Sequence, residues 1–216
     1  MPPLFAVLTG DLIGSTDAGP TALDATMRDI AATATRIGQW PAGADTRFTR
    51  SRGDGWQMVL DRPAQALRAA FAVQAGLRAL RNGIPTRISI AVGPVASLGT
   101  KDLSDARGPA FTASGKGIDR LDHTERLGIT CGSATPFQQA LASLADALMR
   151  GWTREQAEAM ALALHPANPT LAEMAATLGI SRQAVNYRLA GANLRALRSA
   201  AEDWARAFDA HLVEGV

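Results

Sequence analysis

The sequence predicts an α+β fold in two parts, and three observations support this. Strand-like and helix-like segments alternate between residues 4 and 93, whereas the pattern is helical from residue 135 onward. Apolar residues make up 47% of the 216 residues, which is enough for a sizeable buried core. We expect a first domain over residues 1–145 and an all-helical second domain over residues 146–216.

Six elements are predicted in the first half of the chain. An apolar run over 4–11 indicates a buried strand, and apolar residues at helical spacing indicate a helix over 21–40. A Gly-Asp-Gly turn within 46–61 indicates a hairpin. A second helix, opened by proline and closed by Asn-Gly, covers 63–83 and precedes a strand over 86–93. The order β-α-β-β-α-β is that of a split βαβ, ferredoxin-like domain.

The following region has weaker patterns. Residues 94–125 are rich in Gly, Pro, Ser and Asp, which predicts a loop region of the kind that carries function. One more strand is predicted over 127–135 and a bracing helix over 153–165. No stretch of about 18 apolar residues indicates a transmembrane helix.

The net charge and the cysteine content limit the classes of function that the chain could have. The net charge is only +2, so the chain as a whole is not a polycation, although 20 of its 22 basic residues are Arg. The single cysteine, Cys131, excludes an internal disulfide and fits a reducing compartment. The N-terminus lacks a basic segment and reaches Asp11 early, which is unlike a signal peptide. We therefore expect a cytoplasmic protein.

Four short motifs occur in a fixed order over about 120 residues. They are DLIGST at 11–16, GDGWQMV at 53–59, RISIAVG at 87–93 and DARGPAF at 105–111. This set resembles the catalytic domain of the class III nucleotidyl cyclases, which include adenylate and guanylate cyclases. In that family one Asp ends the first strand, and a second Asp lies in the turn between the next two strands.

The resemblance implies a nucleotide site with metal ions. Asp11 and Asp54 would bind Mg²⁺, which activates the ribose 3′-oxygen for attack on the α-phosphate. Backbone N–H groups at a helix start would hold the triphosphate. The nucleotide-binding residues that the resemblance implies are Ile13, Gly14, Ser15, Thr16, Arg50 and Asp105.

Three positions depart from the family pattern. Arg50 stands where adenylate cyclases have a Lys for the purine, Thr112 replaces the ribose-orienting Asn, and Lys116 replaces the transition-state Arg. Threonine lacks the amide geometry, and lysine cannot form the bidentate fork of arginine. Each loss would remove roughly 2–4 kcal/mol of transition-state stabilisation. Thr112 and Lys116 are therefore catalytic candidates only if the chain is active, and a nucleotide could bind without being cyclised.

Simpler roles stay open for these and other residues. Asp11 and Asp54 could merely cap turns. Other residues each have a functional and a plain alternative: Arg87 and Arg107 (phosphate contact or solvated surface), His123 (base, ligand or surface), Trp56 (purine stacking or core) and Cys131 (small buried residue).

The segment TLAEMAATLGISRQAVNYRLAGA at 170–192 resembles the helix-turn-helix of bacterial regulators. Thr170 and Glu173 form a capping box, Gly179 permits a tight turn, and Ser181 caps the second helix. The predicted inner face comprises Leu171, Met174, Ala175, Leu178, Ala184, Val185 and Leu189. The outward side chains, which suit phosphates and base edges of double-stranded DNA, are Arg182, Gln183, Asn186, Tyr187 and Arg188.

Charge and periodicity extend this interpretation. Between Glu173 and Glu202 lie four Arg and no acidic residue, which focuses positive charge on the candidate reading helix. A helical-hairpin interaction module is the alternative. The last helix has an apolar stripe that is either core or a dimer seam, formed by Leu194, Leu197, Ala201, Trp204, Phe208 and Leu212.

The combination of a shortened cyclase-like domain with a helix-turn-helix is similar to the SatD-like family of bacterial proteins. We expect a homodimer, because such DNA readers bind paired half-sites and cyclase domains assemble composite sites. The leading hypothesis is a transcription regulator whose degenerate cyclase-like domain senses a nucleotide, with or without Mg²⁺. One alternative is an active cyclase with an atypical catalytic set, whose tail is a dimerisation element. The other is a DNA-binding dimer with a purely structural cyclase-like scaffold.

Overall fold

A computed structural model describes residues 3–41, 46–51, 53–122, 124–130 and 136–213. The interpretations of His123 and Cys131, the last part of the predicted strand over 127–135 and the side chain of Leu212 lie outside the described residues.

The mixed α+β class is confirmed. Strands cover Leu4–Leu12 (β1), Thr46–Arg50 (β2), Gly55–Leu60 (β3), Thr86–Pro94 (β4) and Leu127–Ile129 (β5). Helices cover Ser15–Gly38 (α1), Ala66–Ala79 (α2), Pro109–Arg120 (α3), Pro136–Arg150 (α4), Arg154–Ala163 (α5), Leu171–Leu178 (α6), Arg182–Gly191 (α7) and Leu194–Val213 (α8). Short 3-10 turns precede α2 at Pro63–Gln65 and α3 at Leu103–Asp105.

The sheet places the first two sequence motifs side by side. Its strand order is β2-β3-β1-β4-β5, with antiparallel pairing everywhere except between β4 and β5. In this register Asp11, near the end of β1, lies opposite Gly55 of β3 and opposite Arg87 of β4. The end of the central strand is therefore flanked by the hairpin turn and by the start of β4.

Helix α3 is the main departure from the predicted loop over 94–125. Its segment contains two glycines and few large apolar residues, so its sequence pattern is weak. Gly117 packs so closely on the sheet that a Cβ there would lie 2.0 Å from the Ser89 hydroxyl oxygen. The hydroxyls of Thr9 and Ser114 form a second contact at 2.7 Å. Tertiary packing, rather than helical periodicity, stabilises this helix.

One hydrophobic cluster extends from the sheet through α2 into the C-terminal helices, across the expected domain boundary within α4. Trp152 is fully buried, and its indole N–H donates to the carbonyl oxygen of Ala192 at 2.9 Å. The indole N–H of Trp204 on α8 donates to the carbonyl oxygen of Pro63 at 2.8 Å. The α8 stripe is thus core within the same chain as far as Trp204, which removes its support for a dimer seam.

Within the described ranges, no helix combines the length and apolar content that crossing a bilayer requires.

Candidate functional site

The carboxylate of Asp11 is held by Arg87. The Arg87 Nε donates to Asp11 Oδ1 at 2.9 Å, and its Nη2 donates to Asp11 Oδ2, so the ion pair is bidentate. The two side chains are 26% and 28% exposed for Arg87 and Asp11. Hydrogen bonding to Asp11 raises the pKa of Arg87, and the nearby charges of Asp11, Asp119 and Asp54 act in the same direction.

Asp54 lies in the hairpin turn at the same end of the sheet. Gly53 has a φ of 76°, which glycine adopts readily, and this lets the turn close before Asp54. The Asp54 carbonyl oxygen accepts from the Leu12 N–H at 3.2 Å, and its carboxylate accepts from the Ser15 hydroxyl. Asp54 is therefore connected to the residues that follow β1.

The segment after Asp11 forms a single helical turn before a kink. Gly14 has a φ of 72°, and the Ile13 N–H donates to the carbonyl oxygen of Pro85 at 2.8 Å. Gly19 interrupts the helix with φ 77° and ψ 163°. The backbone N–H groups of Ser15 and Thr16 have no acceptor among the described residues. Two amide donors therefore lie beside Asp54, as a phosphate site at a helix start requires.

Arg50 and Asp105 are each engaged elsewhere. Arg50 forms an ion pair with Asp24 of α1, at 2.6 Å between Nη1 and Oδ1. Asp105 accepts from the backbone N–H of Thr100 at 3.0 Å and from its hydroxyl at 2.9 Å, and these bonds lower its pKa. In these positions the Arg50 ion pair connects β2 to α1, while the hydrogen bonds of Asp105 stabilise the loop that precedes α3.

The two conditional catalytic residues lie on the outer face of α3. Thr112 and Lys116 are both exposed and one helical turn apart. Asp119, on the next turn, is close enough for its charge to act on Arg87. Sequence reasoning missed Asp119, because it lies outside the four motifs and its segment was predicted to be a loop.

A metal site of three or more ligands is not formed by His, Cys, Asp and Glu within the part of the chain that the structure describes. Carboxylate oxygens suit Mg²⁺, and Asp11 and Asp54 provide them at one end of the sheet. Both Asp11 oxygens already accept from Arg87, however. These two residues therefore fit a divalent cation only when Arg87 moves away.

Helices α6 and α7 are joined by a tight turn. The Thr170 hydroxyl accepts from the Glu173 N–H at 3.2 Å, and Glu173 Oε2 accepts from the Thr170 N–H at 2.7 Å. Gly179 has a φ of 65°, and the Ser181 hydroxyl accepts from the Ala184 N–H at 3.1 Å. The predicted capping box and second cap are both present, and they set where the two helices begin.

The outer face of α7 borders an open groove. Arg182, Gln183 and Asn186 are exposed and line a cavity of about 620 Å³ together with the first residues of α6. Tyr187 projects beside them, largely exposed. Leu171 also lines the groove and is 37% exposed, so its assignment to the inner face was wrong. It is the first residue of α6, and it also borders a cavity with Met174 and Leu189.

Arg188 is engaged by a neighbouring helix, whereas Arg195 is exposed. The Arg188 guanidinium turns toward α5, where its Nη1 lies 3.3 Å from Glu158 Oε2. Arg195 is exposed and lines a second cavity of about 350 Å³ with Asn186 and Leu194. The clustering of Arg in this region indicated a cationic surface, but sequence alone did not single out Arg195.

No protein-family model and no curated protein matches the chain. Among solved structures, a crystal structure of the guanylyl cyclase Cya2 is similar, with a TM-score of 0.44 and 17% sequence identity. The similarity covers 58% of this chain and 74% of that chain. It concerns part of the fold alone.

Proposed function

We propose that this protein is a DNA-binding transcription regulator whose sheet domain senses a nucleotide. The observation that carries the proposal is the polar outer face of α7, where Arg182, Gln183 and Asn186 border an open groove on a capped helix pair. Arginine and asparagine pair with guanine and adenine edges in a major groove. Every charged residue between 174 and 201 is basic, which suits a phosphate backbone.

A protein-binding helical hairpin fits this surface less well. Interaction faces for other proteins have apolar cores, whereas the outer face of α7 offers one aromatic residue, Tyr187, among polar ones. Arg195 extends the cationic surface beyond α7 to the start of α8. We therefore assign the groove to DNA, with Arg195 in a phosphate-contacting role.

The sheet domain supplies the ligand-sensing part of the proposal. The unpartnered amides of Ser15 and Thr16 would hold phosphate oxygens, and Asp11 with Asp54 would hold Mg²⁺ if it accompanies the nucleotide. Thr112 and Lys116 lie on an exposed face of α3. A nucleotide would change DNA affinity only if it bound the DNA-binding conformation of the protein and the alternative conformation with different affinities.

We expect purified protein to enrich a specific duplex from a random pool. Arg182→Ala and Asn186→Ala should each weaken binding to that duplex by about 1–3 kcal/mol, because each removes a base contact. Arg195→Ala should weaken binding to all duplexes to a similar extent. It should also reduce the salt dependence of the binding constant by about the amount expected for one phosphate contact. Fluorescence anisotropy at several salt concentrations, with and without ATP or GTP, measures these effects.

Arg28→Ala is the matched control, since Arg28 is exposed on α1, outside both parts of the proposed DNA surface. It should bind DNA like the wild type. Failure to enrich any duplex, together with no salt-dependent binding, would contradict the DNA-binding proposal. A DNA affinity that no nucleotide changes would leave the sheet domain as a structural scaffold.

The proposal includes a homodimer, and α4 offers a face for it. Phe137 and Leu144 are 84% and 68% exposed and lie about two helical turns apart on α4. Between Pro136 and Met149 the one charged residue is Asp146, which is buried. An uncharged face of this kind can pack against the same face of a second copy about a two-fold axis. The second copy would then supply the helix pair that binds the other half-site of the DNA.

Leu144→Glu should convert a dimer into a monomer, because it places a charge within that apolar face. Light scattering coupled to size-exclusion chromatography measures the mass. Ala32→Glu, on an exposed position of α1, is the control and should keep the wild-type mass. A Leu144→Glu protein that remains dimeric would rule out this face.

A further inference from the structure

Arg87 is the residue whose position the proposed function leaves unexplained. Its guanidinium donates to both carboxylate oxygens of Asp11, and it also feels the charges of Asp54 and Asp119. The backbone beneath this ion pair is fixed, because the buried Thr86 hydroxyl donates to the Asp11 carbonyl oxygen at 2.7 Å. Any rearrangement at this end of β1 would therefore be a movement of side chains.

The ion pair occupies the atoms that a divalent cation would need. A cation on Asp11 and Asp54 and the guanidinium of Arg87 compete for the same Asp11 oxygens. About a quarter of the Arg87 side chain is exposed, so it has a route to solvent. Without the cation, Arg87 neutralises Asp11; with the cation, Arg87 would be released as a positive charge at the end of the sheet where Asp54 lies.

We propose that Arg87 is an exchangeable internal cation that leaves Asp11 when a divalent cation binds and then pairs with a phosphate of the ligand. The proposal rests on the proposed nucleotide sensing and adds its mode of regulation. Its consequence is cooperativity between the two ligands. The cation displaces Arg87 from Asp11, and the displaced Arg87 then pairs with the phosphate, so each ligand raises the affinity of the protein for the other. Either ligand alone binds weakly.

The other basic residues of this region do not fit this role. Arg50 is paired with Asp24 on α1, and Lys116 is exposed on the outer face of α3. Arg87 alone contacts a candidate cation ligand among the charged pairs of the described residues. It also has the planar fork that binds carboxylate and phosphate equally well, so exchange between the two partners conserves its geometry.

The first test measures binding of Mn²⁺, by electron paramagnetic resonance of the free ion, to the full chain without nucleotide. Arg87→Met should bind Mn²⁺ about tenfold more tightly than the wild type, because it removes the competing charge. Arg87→Lys retains the charge without the bidentate fork, so its affinity should be intermediate. Arg28→Met is the matched control and should bind like the wild type, because Arg28 is exposed on α1.

The same test includes Asp11→Asn in the Arg87→Met background, which should abolish the gain. Circular dichroism of each variant confirms that it is folded, and Arg87→Lys decides the matter if Arg87→Met is not. Equal or weaker Mn²⁺ binding by the folded Arg87 variants would overturn the proposal. A gain that survives Asp11→Asn would overturn it as well.

The second test measures ATP binding by calorimetry in the presence of EDTA. Arg87→Met should bind metal-free ATP several-fold more weakly than the wild type, opposite to its effect on Mn²⁺. Effects in the same direction would overturn the exchange. If the wild type binds neither ATP nor GTP with or without Mg²⁺, nucleotide sensing fails and the phosphate half of this inference fails with it. The Mn²⁺ affinities decide the release of Arg87 independently.

Discussion

Trp152→Ala is expected to lower the free energy of unfolding by about 3–5 kcal/mol, the range for removing a large buried aromatic side chain. Trp152 is fully buried and lies in the connection between α4 and α5. Its indole N–H also donates to the Ala192 carbonyl oxygen at 2.9 Å, a contact that spans 40 residues of sequence. The substitution removes both the packing and this hydrogen bond.

Urea unfolding followed by circular dichroism measures the effect, and Trp152→Phe separates its two parts. Phenylalanine keeps most of the packing but leaves the buried Ala192 carbonyl oxygen without its partner, at a cost of about 1–3 kcal/mol. Arg28→Ala, on an exposed position of α1, is the control and should change stability by less than about 0.5 kcal/mol. A Trp152→Ala protein as stable as this control would contradict a stabilising role for the buried Trp152 side chain.

Gly10→Ala is expected to destabilise the sheet by about 1–3 kcal/mol or more, since the core has no space for the added methyl group. A Cβ at Gly10 would lie 2.3 Å from Cε2 of Trp56, whose ring lies across the strand and is fully buried. The Trp56 indole N–H donates to the Thr86 hydroxyl, which donates to the Asp11 carbonyl oxygen. Displacing the ring would therefore disturb the candidate site as well as the core.

A double-mutant cycle identifies the cause. In a Trp56→Leu background the cost of Gly10→Ala should fall by at least about 1 kcal/mol, because the clashing ring is gone. Gly115→Ala is the control: a Cβ there meets no atom within 4 Å, and the residue lies inside α3, so we expect stabilisation of about 0.4–1 kcal/mol. Additive costs for Gly10→Ala and Trp56→Leu would rule out the clash.

Local patterns determined a large part of the fold. The apolar run before Asp11, the Gly-Asp-Gly turn and the period of α2 act over a few residues, and each element forms close to where the sequence predicts it. The caps at Thr170 and Ser181 are also local, because a side chain and an N–H three residues away form them. The mixed α+β class and the closeness of Asp11 to the hairpin turn follow from these patterns.

Contacts between distant segments decided the rest. Helix α3 depends on Gly117 meeting Ser89 of β4, and the α8 stripe became core because Trp204 reaches Pro63. The sequence shows that Arg87 and Arg188 are long and charged, but not which acid each one reaches. Asp11 and Glu158 lie 76 and 30 positions away, respectively, and only the folded backbone brings them within hydrogen-bond distance. Periodicity and capping are properties of neighbouring residues, whereas the partner of a flexible charged side chain is a property of the tertiary structure.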